Sequence, residues 1–386
     1  MGKARGLLSC LAMRYALILL LTLGFQAAGQ TPKQAPAGDA NDLLRAGLAA
    51  QQHGDNPAAI EDFRKALALR PDLAPARAAL GASLAAVGQF EAAIEEDLRA
   101  LEAGEDQDNI RMNLALAYYK KGDLGRARQQ AEAVHQAAPH DIPASVLLSY
   151  IYVKLDREAD VVALLTPLEP GHESNNELEY LLAFSLIQTG SIKEGVSRME
   201  KVAQLTRSAN AYVIAGAALV HRSQMNQGQA DLEAAMRLDP SIPGVRTLLG
   251  QADFALHEMN EATVAFQAAL RENPRDFDAN LDLGVIHLKA RDFGNARPLL
   301  EFALELDPAA PLARLEMAKL DEATGRYAEA AGYLEPLIKA EPNWFDAHWE
   351  LANVYYALDR GTDARRERTI AQDLRLRQQK SDPAEK

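Results

Sequence analysis

Apolar residues recur along this chain at helical spacing, and prolines and glycines interrupt them on a single beat. Pro240, Pro274, Pro308 and Pro342 each stand 34 residues from the last. Pro71 and Pro139 are 68 apart, twice that interval, and Pro139 to Pro240 is 101, one short of three intervals. Glycines keep the same beat from Gly47 to Gly81, then through Gly216, Gly250 and Gly284. A fixed period of this length marks a repeat architecture. It divides the chain into ten repeats beginning near residues 40, 74, 108, 142, 176, 209, 243, 277, 311 and 345. Each repeat is predicted to hold two helices. Small residues at its eighth and twentieth positions let the two backbones approach, and a larger one at the twenty-fourth fills the gap. Proline cannot continue the second helix, so it ends that helix and turns the chain into the next repeat. Gly88, Gly122, Gly190 and Gly325 fall between the helices, where glycine takes the positive φ of a helix stop. Each pair leaves an apolar face that only a neighbouring pair covers, so the array is stable as a stack.

The residues that keep this beat resemble the tetratricopeptide repeat (TPR) pattern. The repeat at Phe277 carries it in Leu283-Gly284, Phe293, Ala296, Leu300, Ala303 and Pro308. The first carries it in Gly47, Ala59, Phe63, Ala66 and Pro71, and the third in Ala115, Tyr118, Gly122, Ala127 and Pro139. The resemblance spans residues 40–361 and implies an all-α fold, a TPR α-solenoid of antiparallel helix pairs wound into a right-handed superhelix. Two repeats depart from it. The fourth has Asp156 where a turn glycine is usual, Val161 at its twentieth position, and an inserted-looking loop from Thr166 to Asn175. The fifth has Arg207 in place of the terminal proline and is one residue short. A break or hinge is therefore expected at 166–176. Residues 362–379, rich in arginine, are expected to form a charged capping helix, and 380–386 a disordered tail.

The N-terminus is a separate object. Lys3, Arg5 and Arg14 precede an apolar run of 11 residues from Tyr15 to Phe25, followed by Ala27-Ala28-Gly29. That order is a secretory signal peptide over 1–29, cleaved before Gln30. The run is short for a bilayer core, which needs ~20 residues, and extending it backwards buries Arg14. An uncleaved inner-membrane anchor is the alternative, and Met13 is a second plausible start. Leu7-Leu8-Ser9-Cys10 precedes the apolar run, so it does not serve as a lipoprotein cleavage box. Residues 30–39 read as a flexible tether. Cleavage removes Cys10, the only cysteine, and takes the net charge from −13 to −16. A thiol-free acidic chain suits an oxidising compartment and disfavours nucleic acid, whose phosphates need clustered cations. Composition agrees with helix, with aromatics at only 6%.

No catalytic residue, metal ligand set or cofactor motif is expected. There is no phosphate-binding glycine loop and no G-x-S-x-G elbow. His257-Glu258 continues to Glu261 without a second histidine, and His172-Glu173 fails likewise.

The TPR resemblance implies that the first helices line a concave face through their second, fifth, ninth and twelfth residues. The partner-binding residues this implies are Met112, Leu116, Tyr119, Val146, Tyr150, Val153, Tyr180, Phe184, Ile187 and Val213, with Trp349, Asn353 and Tyr356 in the last repeat; Asn113 joins them as a fragment, with Lys120, of the family's carboxylate clamp, the rest of which is absent. An apolar stripe there either receives a ligand or is buried by tight curvature. The expected function is a non-enzymatic protein-interaction scaffold of the bacterial cell envelope that binds a protein or peptide. A periplasmic chaperone-like protein and an accessory subunit of an envelope enzyme are the alternatives.

Overall fold

The structure, a computed structural model, describes residues 39–104 and 107–381. The signal peptide, the tether up to residue 38 and the tail from 382 onward lie outside the described residues. Among the described residues there are twenty α-helices and no strand. The first five pairs are α1 (Ala40–Gln52) and α2 (Asn56–Leu69), α3 (Ala74–Ala86) and α4 (Phe90–Glu102), α5 (Gln107–Lys121) and α6 (Leu124–Ala137), α7 (Ile142–Lys154) and α8 (Glu158–Leu165), α9 (Asn176–Gln188) and α10 (Ile192–Thr206). The second five are α11 (Ala209–His221) and α12 (Met225–Leu238), α13 (Val245–Ala255) and α14 (Met259–Glu272), α15 (Phe277–Lys289) and α16 (Phe293–Leu306), α17 (Pro311–Ala323) and α18 (Tyr327–Ala340), α19 (Phe345–Ala357) and α20 (Gly361–Ser381). The chain is an all-α solenoid of tandem helix pairs.

One turn joins the helices of every pair. The fifteenth residue of each repeat has positive φ, and it is glycine in only five of them: Gly54, Gly88, Gly122, Gly190 and Gly325. Asp156, Ser223, His257, Arg291 and Asp359 hold the same left-handed conformation at about 1 kcal/mol each. The N–H of the following residue then reaches back over the helix end, as from Gln89 to the Leu84 carbonyl at 2.9 Å and from Arg326 to the Asp321 carbonyl at 2.7 Å. This is the Schellman closure, which satisfies carbonyls that a helix end otherwise leaves bare. Asp55, Asp123 and Asp292 cap the next helix through their carboxylates, so one short turn closes one helix and opens another.

The turn between repeats has its own staple, which the spacing did not reveal. In five of the repeats the side chain at the fourth position hydrogen-bonds the carbonyl of the proline six residues before it. Arg77 reaches Pro71 O at 2.7 Å, Asn280 reaches Pro274 O at 3.0 Å, and Arg314 reaches Pro308 O at 2.8 Å. Arg246 and the Nε2 of His348 do the same to Pro240 and Pro342. His348 also meets buried Glu367 at 2.7 Å, so the last helix is tied to the last proline turn.

Within a pair the helices cross where one residue has no side chain. A Cβ on Gly47 would stand 2.5 Å from the Phe63 ring, and one on Gly250 would stand 2.7 Å from Phe266. The second repeat breaks this logic. Gly81 faces Asp97, which is fully buried with both carboxylate oxygens unpaired, in the slot that Phe63 and Phe266 occupy. Burial, and then the neighbouring Glu96, pushes the Asp97 carboxyl up to about 8.

The chain forms two compact units, one ending at Ala218 and one beginning at Leu219. In the first, repeats two to five share one core that runs from Ile94 to Leu186. In the second, separate small cores centre on Phe266, Leu300 and Leu334. The loop after α8 lies inside the first unit and is pinned there. Leu168 is buried, Asn175 caps α9, and Arg198 binds Glu169 at 2.6 Å and Glu179 at 3.2 Å. The short fifth repeat ends without proline because Arg207 itself turns left-handed and Ser208 N–H closes on Ala203 O.

Because the folded chain keeps a proton on Asp97 that the unfolded chain releases near pH 4, this residue weakens the fold increasingly as pH rises from about 4 to about 8. Asp97→Leu is expected to stabilise the protein by about 2 kcal/mol at pH 8.5 and by less at pH 5, as read by denaturant melts at both pH values. An equal or negative effect at pH 8.5 contradicts the unpaired carboxyl.

Candidate protein-binding site

The first helices of neighbouring repeats touch one another directly through repeats one to five, and again through repeats seven to ten. Their second, fifth, ninth and twelfth residues therefore meet across a narrow inner face. In repeats three to six that face is filled. Tyr119, Val146, Tyr150, Phe184, Ile187 and Val213 are all buried, with Phe184 at 2% and Val213 at 1% exposure. Met112, Leu116 and Val153 pack against the shared core, and Asn113 and Tyr180 are half-buried. Tyr150 OH donates to Glu177 Oε1 at 2.9 Å, one repeat on. Burial first and that carboxylate second hold the Tyr150 phenol far above its usual range. An exposed apolar stripe is thus absent from repeats three to six. Large side chains on adjacent first helices reach each other and close the hollow themselves, which is the curvature outcome.

In the second unit the last repeat leaves part of its first-helix face exposed at Tyr356. Here the structure brings Trp349, Asn353 and Tyr356 together around a residue that the sequence pattern leaves in the capping helix. The Arg368 guanidinium lies 3.8 Å over the Trp349 ring and 5.9 Å from that of Tyr356, and it donates to Asn353 Oδ1 at 2.8 Å. Phe345 stacks on Trp349 with ring centroids 5.9 Å apart. Tyr356 remains 47% exposed. The signal for Arg368 was available: it holds the twenty-fourth position of the last repeat, where Phe63, Phe266 and Leu300 fill the core. A cation in that slot has to reach a polar face.

Also missed was a row of carboxylates. Asp282, Glu316 and Glu350 stand 34 residues apart, in the same slot of three successive first helices. Gln251 donates to Asp282 at 3.2 Å, Lys319 pairs with Glu316 at 2.8 Å, and Glu350 shares a hydrogen bond with Glu322. Burial pushes Asp282 up to about 7, and burial together with Glu350 pushes Glu322 up to about 7. This face therefore gains negative charge as pH rises through neutrality. Among the described residues no group of three or more His, Cys, Asp or Glu side chains could hold a metal ion. No described helix is long and apolar enough to cross a membrane.

Sequence models of the tetratricopeptide repeat match residues 44–108, 79–142, 247–311 and 287–351, together just over half of the chain. The chain belongs to the tetratricopeptide repeat family. The unmatched stretch between Ile142 and Thr247 holds the repeats with the pinned loop and the missing proline. A tetratricopeptide repeat protein from Parabacteroides merdae is 16% identical, covering 64% of this chain and 98% of its own, with a TM-score of 0.47. YrrB, a TPR protein with an unusual peptide-binding site, is 20% identical over 52% of this chain and 99% of its own, with a TM-score of 0.43. Yeast Tom70 is 16% identical over 89% and 97%, with a TM-score of 0.37. These three likenesses are too distant to say anything about partners. Tetratricopeptide arrays are typically non-enzymatic modules for protein interaction, and this array is a protein-interaction scaffold.

Proposed function

We propose that this tetratricopeptide array is a scaffold of the bacterial cell envelope that holds a peptide or helix of a partner protein against its first-helix face. The observation that carries the reading is the open end of that face. Trp349 and Tyr356 offer aromatic surface beside Arg368, and aromatic side chains with a charged neighbour are the usual anchors of protein contacts. The burial of Tyr119, Tyr150 and Phe184 removes the broad apolar surface on which a chaperone-like reading would rest. The ligand is then a defined segment, received on a preformed surface.

The envelope assignment rests on the N-terminal order of cations, an 11-residue apolar run and small residues before Gln30. Protein purified from its native host is expected to begin at Gln30 on N-terminal sequencing; a sequence beginning at Met1 or Met13 contradicts export with cleavage. For the groove, the paired variant Trp349→Ala/Tyr356→Ala is expected to lose partners that the wild-type chain retains from envelope extract, with its melting transition intact. Unchanged retention of the same partners by that variant would sink the assignment of this face.

A further inference from the structure

A cavity of about 420 Å³ opens between α12, α13 and α14, away from the aromatic platform of Trp349 and Tyr356. Its apolar floor is formed by Met236, Leu249, Val264 and Ala268, and Val264 is 63% exposed. Three carboxylates, Glu233, Asp253 and Glu261, stand around that floor. The array contains a second copy of this place, two repeats or 68 residues on, and the copy is filled. Glu233, Asp253 and Glu261 correspond there to Glu301, Asp321 and Glu329, so the acids are the same. What differs is everything that satisfies them.

In the downstream copy Arg297 donates to Asp321 Oδ1 at 2.6 Å and lies 3.5 Å from Glu301, and Arg326 approaches Asp321 at 3.2 Å. Tyr333 packs over the same spot, between two apolar cores. In the upstream copy the residues in those three slots are Gln229, Glu258 and Ala265. Two guanidiniums and a phenol ring are missing, and one more carboxylate has been added. Gln229 bridges Asp253 and Glu258 at 2.8 Å each, the most a neutral amide can do. Asp253 is only 6% exposed, and burial, with Glu258, Glu261 and Glu233 around it, pushes its carboxyl up. Arg246 lines the cavity but is engaged with Glu272 at 2.5 Å and with the Pro240 carbonyl. Glu233 meets Arg237 only at 3.6 Å on the surface.

We propose that this cavity is a binding site for an arginine side chain presented by a partner protein, which supplies the guanidinium that Arg297 supplies two repeats later. The planar fork suits two carboxylates set side by side, as Arg297 bridges Asp321 and Glu301, whereas a lysine ammonium is a single point charge. The aliphatic stem lies over Val264, Ala265 and Ala268, covering apolar surface that the downstream copy covers with Tyr333. This site is separate from the first-helix face, and neither proposal needs the other.

The test uses the full mature chain and a short glycine–serine peptide with one central arginine, beside the same peptide with citrulline. The two side chains match in shape and differ in charge. In NMR titrations to about 10 mM, the arginine peptide is expected to shift the Val264 and Ala268 methyl signals, and the citrulline peptide to bind at least about tenfold more weakly. Asp253→Asn is expected to weaken arginine binding about tenfold. Gln229→Arg restores the downstream arrangement from within, so it is expected to abolish the shifts while leaving the melting temperature unchanged or higher. Absence of methyl shifts in the wild type, equal binding of the two peptides, or full binding by Gln229→Arg each overturns the proposal. Trp349→Ala/Tyr356→Ala is expected to bind the arginine peptide like the wild type, so failure of the aromatic platform and failure of this cavity are told apart.

Discussion

In each of the ten repeats the first helix stops on one left-handed residue, and the next N–H closes back over the helix end. The rest of the array depends on that closure. It sets the length of the first helix, fixes the angle at which the second leaves, and so brings the eighth and twenty-fourth residues of a repeat face to face. The requirement is strong enough that Ser223, His257 and Arg291 adopt the conformation although glycine would do so at lower cost. At five of the turns between repeats, the bond from the fourth side chain to the proline carbonyl helps fix the second angle. With both angles set, each helix pair covers the apolar face of its neighbour, which is how a repeat array gains stability that no single pair has.

The period was legible because it is written in residues with one dominant conformational reason: proline ends a helix, and glycine permits a close crossing. Where another residue does the same job, the sequence is silent. Arg207 replaces a proline by turning left-handed itself, and Asp156 holds a turn expected of glycine, so both look like defects until the backbone is seen. The loop from Thr166 to Asn175 reads as a break, yet Leu168 and the Arg198–Glu169 pair fasten it. None of these fastenings follows the 34-residue beat.

The inner face shows the same limit. Spacing assigns Tyr150 and Phe184 to one side of the first helices, but exposure there depends on how closely successive first helices approach, and no single repeat encodes that distance. Bulky side chains in repeats three to five fill the face and join one merged core. Polar and aromatic ones in the last repeat leave Tyr356 exposed. An array assembled from like units thereby separates its tasks: some repeats use the inner face to hold the stack together, others keep it available for a partner. Arg368 belongs to neither pattern, since it occupies a core slot and serves a surface.

Thiol accessibility tests this division of tasks most directly. The chain without residues 1–29 has no cysteine, so single cysteines can be placed at Ile187, Val213 and Tyr356 and their rates of reaction with a small disulfide reagent compared in native buffer. Tyr356→Cys is expected to react at the rate of a free thiol. Ile187→Cys and Val213→Cys are expected to react at least about a thousandfold more slowly, because modification must wait for local opening. Comparable rates at all three positions would mean that the inner face of repeats three to six is an open groove, and that the repeats do not divide their tasks in this way.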